Sequence, residues 1–144
     1  MSQLSVRRFP ARNLPALLRL SAQQFGSRRF IREIDPDNPK GVPVECSFEQ
    51  FERDVAATAE FLSGSGIKPF DRVLIVAENS RDYQVLALAV QALRAEPCSV
   101  FANLGANATS DIAERVRPRC LFVSSQSQWD KLTQVSAALV KGGL

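Results

Sequence analysis

Apolar and polar positions alternate along the chain in three successive styles. The first is helical. Asn13, Leu14 and Pro15 read as a helix start, with Asn capping free backbone N–H groups and Pro tolerated in the first turn. Leu14, Leu17, Leu18 and Phe25 then share one side of a helix from Leu14 to about Phe25, and Gly26 suits the left-handed residue that ends it. Arg29–Ile34 and Val42–Cys46 read as the arms of a hairpin, because Asp35 to Gly41 between them is dense in turn formers. Ser47 and Gln50 have the spacing of a capping box. They open a helix whose stripe is Phe48, Phe51, Val55, Ala59 and Leu62, with Glu49, Glu52, Arg53 and Glu60 facing away.

From Arg72 the style changes to short, almost continuous apolar runs, the mark of parallel strands covered on both faces. Arg72–Ala77, Cys98–Ala102 and Cys120–Ser124 are three such runs. Between and after them lie helices. The first is capped by Ser80 and apolar at Tyr83, Val85, Leu86, Leu88, Ala89, Val90 and Leu93. The second runs from about Thr109 to Val116, after a loop at Asn103–Asn107 and before Pro118. The third runs from about Gln128 to Val140, with Trp129, Leu132, Val135 and Leu139 inward and Gly142-Gly143 at its end. Alternating strands and helices with short connections predict an α/β fold: a three-layered, mostly parallel sheet with helices on both faces, plus an N-terminal helix and a β-hairpin.

Composition narrows the function. The 144 residues are 45% apolar and 23% charged, which suits one soluble globular domain, and no apolar run is long enough to cross a bilayer. Seven arginines and no acid precede Glu33, so the front carries +7 in a chain whose net charge is +3. Residues 1–12, with Ser2 and Ser5, are read as a basic arm: a solvated arginine-decorated segment, an organellar signal, or a contact for phosphate or an acidic surface. The arginines are not interleaved with stacking aromatics, which argues against nucleic acid. Cys46, Cys98 and Cys120 are odd in number and far apart, so neither a disulfide framework nor a metal knuckle fits. Cys98 and Cys120 are expected in the core. The chain has no histidine, which removes the usual partner of a serine or cysteine nucleophile. Gly64-Ser65-Gly66 follows a helix instead of joining a strand to a helix N-terminus, so it closes the helix and does not cradle phosphate.

Gly66-Ile67-Lys68-Pro69-Phe70-Asp71-Arg72-Val73, followed by Asn79-Ser80, resembles the Gly-Val-x-x-Gly-Asp-Arg-Val segment of AMP-forming acyl-CoA synthetases. Asn13–Leu18 with Ser21-Ala22 and Phe25-Gly26, Ser47–Phe51 with Ala56-Ala57 and Phe61-Leu62, Leu93-Arg94-Ala95 and Cys120–Val123 extend the resemblance from about Asn13 to Leu132. Phe70 stands where the family commonly has Gly, and Ala95-Glu96-Pro97-Cys98 replaces its Ala-Gly-Ala-Val. The resemblance implies that residues 13–144 are part of an adenylating N-terminal domain, in a ligase that uses ATP, Mg²⁺ and CoA to convert a carboxylic acid, such as a fatty acid, into an acyl-adenylate and then a thioester. The long turn before Ser47 is more like the long-chain members.

The family's phosphate loop, a Ser/Thr/Gly-rich run ending in Pro-Lys-Gly, does not occur in these residues. Lys40-Gly41 and Lys141-Gly142-Gly143 lack the run before them. No catalytic, cofactor-binding or metal-binding residue is therefore assigned, and no cofactor is expected on the chain alone. Asn79 and Ser80 are the residues to watch, as a hydrogen-bonded strand-to-helix corner or as ligand contacts. Two other readings stay open: a non-catalytic interaction module whose partner covers an unfinished sheet, and a flavodoxin-like small-ligand binder. The compartment expected by default is the cytosol, with an organelle if the arginine-rich start is a signal.

Overall fold

Asn13 caps the first helix, its Oδ1 accepting from the Ala16 N–H at 2.8 Å, and Pro15 sits in the first turn. This helix, α1 (Leu14–Phe25), closes at Gly26, whose φ of 48° needs a residue without Cβ strain. A computed structural model describes residues 11–35 and 38–135. Most of the basic arm, the middle of the Asp35–Gly41 turn, the helix end at Val140 and Gly142-Gly143 lie outside the described residues.

Strands β1 (Arg29–Glu33) and β2 (Val44–Ser47) form the hairpin, antiparallel, with an irregularity between Arg29 and Ile31. Helix α2 (Phe48–Gly64) follows. Only half of its capping box is made: Ser47 Oγ accepts from Gln50 N–H at 3.1 Å, while the Gln50 side chain turns to Arg53 and Asp54. Then come β3 (Arg72–Ala77), α3 (Arg81–Ala92), β4 (Glu96–Phe101), α4 (Ala106–Val116), β5 (Cys120–Val123) and α5 (Gln126–Val135). Helix α4 starts three residues before Thr109, with Gly105 as its N-cap. Thr109 is fully buried, its hydroxyl donating to the Gly105 carbonyl at 3.2 Å.

The parallel sheet has the order β4-β3-β5, and its central strand explains the layering. Val73, Leu74, Ile75 and Val76 are all essentially inaccessible, each removing about 1.5–3 kcal/mol worth of apolar side chain from water. Val73 and Ile75 face a core shared with Phe51, Val55 and Leu62 of α2, Val85 and Val90 of α3, and Leu18 of α1. Leu74 and Val76 face the opposite cluster, with Val100, Ala113 of α4 and Leu132 of α5. Helices thus cover both faces, as the alternation of strands and helices predicts. Pro97 is tolerated in β4 because that strand is bonded on one side only.

Three placements depart from expectation. Cys98 and Cys120 are half-buried, not core residues, because β4 and β5 are both outer strands, whereas Cys46 is buried. Trp129 is 37% exposed and flanks the inward contact that Leu132 makes. Leu14, grouped with the inward side of α1, is 56% exposed, and Leu18 alone on that helix is buried.

Phe70 adopts φ 72° and Arg94 φ 62°, and the two meet: Phe70 N–H donates to the Arg94 carbonyl at 2.9 Å and the guanidinium lies 5.5 Å from the ring centroid. The left-handed backbone at Phe70 is what Gly would hold without strain, so an ordinary ranking should invert there. Phe70→Gly should be more stable than Phe70→Ala by about 1 kcal/mol in urea unfolding, the reverse of the preference inside a helix or strand. Equal or reversed stabilities would mean that the backbone at this turn is not left-handed.

Candidate functional site

In the order β4-β3-β5 the chain steps from β3 outward to β4, then crosses back over β3 to β5. Right-handed crossovers put α3 and α4 on opposite faces. α5, reached from β5, joins α4 on the Leu74 side. The connections leaving β3 and β5 at their carboxyl ends therefore diverge, and a crevice opens between them, the position where open α/β sheets bind ligands.

A cleft of about 540 Å³ occupies that position, lined among others by Ala77, Glu78, Ser80, Tyr83, Phe122 and Ser124. A second hollow of about 450 Å³ lies between the hairpin end and the same β3–α3 turn, and Glu78, Asn79 and Ser80 contribute to it. Of the watched pair, Ser80 lines both hollows and Asn79 the second alone.

The cleft's polar groups are mostly occupied with holding the fold. Ser80 Oγ accepts from Tyr83 N–H at 3.1 Å, and Tyr83 OH donates to Ser99 Oγ at 3.0 Å. At the end of β5, Gln128 Oε1 accepts from Ser124 N–H and Oγ–H at 3.0 and 3.1 Å, and Ser125 Oγ accepts from Gln128 N–H at 3.3 Å. Ser80 therefore acts as the structural corner. The charged residues that line the cleft are Glu78 and Asp82, and none of its lining residues is a lysine or an arginine. Such a rim repels a triphosphate, whose binding calls for backbone donors and cations. No group of three or more carboxylate or thiol side chains among the described residues is placed to hold a metal ion. Lys40 and Gly41 sit in a turn closed by Gly41 N–H donating to the Asn38 carbonyl, before strand β2 and not at a helix start. The lining of this cleft thus offers no cation to a triphosphate, and Lys141 lies outside the described residues.

What fixes the mouth is Arg81, a residue that local sequence patterns do not single out. Its backbone N–H donates to Glu33 Oε1 of β1 at 3.1 Å, and its guanidinium pairs with Asp54 of α2 and, at 3.0 Å, with Asp82. Its contact with Cys46, and after it Asp54 and Asp82, raise the guanidinium's pKa against the opposing push of partial burial. Arg81 thereby ties the hairpin, α2 and the start of α3 together. The thiols are quiet by comparison. Burial first, then Glu96 for Cys98 and Asp71 for Cys120, raises each above its ordinary 9.0, so at neutral pH both remain protonated and weakly nucleophilic.

The family model described as AMP-binding enzyme matches residues 18–142. The fold is shared with solved adenylating enzymes. A long-chain-fatty-acid-CoA ligase from Archaeoglobus fulgidus superposes with a TM-score of 0.80 at 19% identity, over 90% of this chain and 26% of that one. The inhibitor-bound N-terminal domain of FACL13 from Mycobacterium tuberculosis gives 0.71 at 20% identity, over 87% and 30%. The N-terminal subdomain of NpsA from Klebsiella oxytoca, in complex with 3-hydroxybenzoyl-AMSN, gives 0.74 at 18% identity, over 94% and 31%. The chain spans less than a third of the length of each of these three. No curated protein sequence matches it.

Proposed function

The chain belongs to the AMP-binding enzyme family, and on that premise we propose that it supplies the scaffold portion of the N-terminal domain of an ATP-dependent acyl-CoA ligase. The observation that carries this reading is the coincidence of the family match over residues 18–142 with a switch-point sheet whose cleft lacks phosphate chemistry. Residues 13–144 are the folded scaffold and residues 1–12 a basic arm. ATP, CoA and a fatty carboxylate are the substrates of the longer enzyme and Mg²⁺ its cofactor, the phosphate loop is not among these 144 residues, and its compartment is the cytosol. No helix among the described residues is long and apolar enough to cross a membrane.

The coding sequence read onward in frame from Leu144 should contain a Ser/Thr/Gly-rich loop ending in Pro-Lys-Gly. A frame that closes without one removes the main support for the ligase reading. A second reading, an interaction module, draws on one observation: β4 and β5 each bond to β3 alone, and Phe101 on β4 is 80% exposed.

A further inference from the structure

Among the described residues, every non-glycine position with a left-handed backbone lies at one end of the parallel sheet. Phe70 precedes β3, Arg94 lies between α3 and β4, and Arg117 caps α4 shortly before β5. Main-chain bonds stitch these strand starts together: Phe70 N–H donates to the Arg94 carbonyl at 2.9 Å, Glu96 N–H to that of Asp71 at 2.8 Å, and Arg119 N–H to that of Arg72 at 2.7 Å. Glycine holds such a backbone without strain and is the usual residue where a helix ends in it. An arginine at a helix carboxyl end does answer the helix dipole, but the left-handed backbone costs as much or more, and the dipole gives no reason for Phe70. Strain kept for the sake of a large side chain implies a use for that side chain.

The side chains at this end are basic and aromatic. Lys68–Arg72, Arg94–Glu96 and Arg117–Arg119 hold five exposed cations, Lys68, Arg72, Arg94, Arg117 and Arg119, against the two acids Asp71 and Glu96. None of the five is ion-paired among the described residues. These segments thus carry +3, whereas the whole stretch from Glu33 to Leu144 carries −4 once the +7 of the front is set against the chain's +3. Phe70 is 71% exposed among them, and Phe61, in the last turn of the helix that leads into this end, is exposed as well. We infer that the amino end of the parallel sheet is a docking surface for an anionic lipid bilayer, Phe70 entering the headgroup boundary and the cations facing the lipid phosphates and carboxylates. An aromatic ring partitions to that boundary, and each nearby lysine or arginine gains from the negative surface potential while its apolar stem lies along the interface. Burial under more polypeptide would instead desolvate five unpaired charges. Single-stranded nucleic acid calls for a series of aromatics on which successive bases stack, which these segments lack. The switch-point cleft lies at the carboxyl ends of the same strands, so a bilayer seated here leaves its mouth in water.

The test is cosedimentation of the 144-residue chain with vesicles of phosphatidylcholine alone and of phosphatidylcholine with about one-third phosphatidylserine, whose negative surface attracts nearby lysine and arginine. Binding is expected to the anionic vesicles only, and should fall as salt rises. Phe70→Gly combined with Arg94→Gly and Arg117→Gly installs the residue that the backbone prefers at each position, so the fold should persist while partition weakens by about tenfold or more. Lys68→Gln with Arg119→Gln should weaken it severalfold, and decides the matter if the glycine variant has lost its far-UV spectrum. Arg7→Gln with Arg8→Gln, in the basic arm, should leave most of the binding in place. A chain that ignores anionic vesicles, one that binds neutral vesicles equally, or binding that survives the sheet-end variants would each overturn the inference. Binding lost only with Arg7 and Arg8 would overturn it by assigning the contact to the arm, and capture of a single-stranded oligonucleotide in place of vesicles would do so in favour of nucleic acid.

Discussion

Phe51→Ala should lower the free energy of unfolding by about 3–5 kcal/mol, whereas Phe61→Ala, ten residues on in the same helix, should change it by less than about 0.5 kcal/mol. Phe51 is 1% exposed in the core under β3, its ring 5.1 Å from that of Phe30. Removing it deletes a large transfer term and leaves a cavity that the fixed strand beneath cannot close. Phe61 is 67% exposed and contributes little to any contact that folding creates. For a domain whose whole margin is roughly 5–15 kcal/mol, the first change leaves Phe51→Ala near or past its unfolding midpoint at moderate urea, and the second is silent. Similar losses for both would mean that α2 is rotated about its axis from the orientation described.

The second large effect concerns Arg81. Arg81→Ala should cost about 2 kcal/mol, because it removes the charge facing Asp54 and leaves that carboxylate partly buried without its partner. Side chains on both sides of the pair remain about a quarter exposed, 24% and 28%, so the loss falls short of that for a fully buried pair. A double-mutant cycle with Asp54→Ala, read by urea unfolding, should return a coupling of about 1–2 kcal/mol that 1 M salt reduces only modestly. Additive effects would show that Arg81 and Asp54 do not interact, and that α2 is held against the start of α3 by packing alone.

These two residues also mark how far the chain could be read by eye. Phe51 was legible because a helical stripe is a local pattern: positions 51, 55, 59 and 62 repeat, and the structure buries all four. The Ser80 cap, the hairpin and the three parallel strands were legible for the same reason. Arg81 was not, because its meaning lies in Glu33, 48 residues earlier, and Asp54, 27 residues earlier, which no local periodicity connects. The half-burial of Cys98 and Cys120 likewise depends on strand order. An apolar run does not say whether it lies at the centre or the margin of a sheet. Thr109 misled because Asn103 to Asn107 is rich in turn formers, yet Gly105 serves as the helix cap. The switch-point cleft follows from the reversal in strand order, so it too is visible only once the topology is fixed.

The family motif and the fold agree on ancestry, and the proposed scaffold role separates that ancestry from activity, since the family's phosphate loop does not occur in these residues. Carboxylate-dependent exchange of labelled pyrophosphate into ATP measures that separation most directly, because it reports acyl-adenylate formation without requiring the thioester step. The purified 144-residue chain, given Mg²⁺, ATP and a panel of short to long carboxylic acids, should show exchange indistinguishable from the protein-free rate. Exchange that rises with the amount of chain and depends on the added acid would contradict the scaffold assignment and place adenylating groups within these residues.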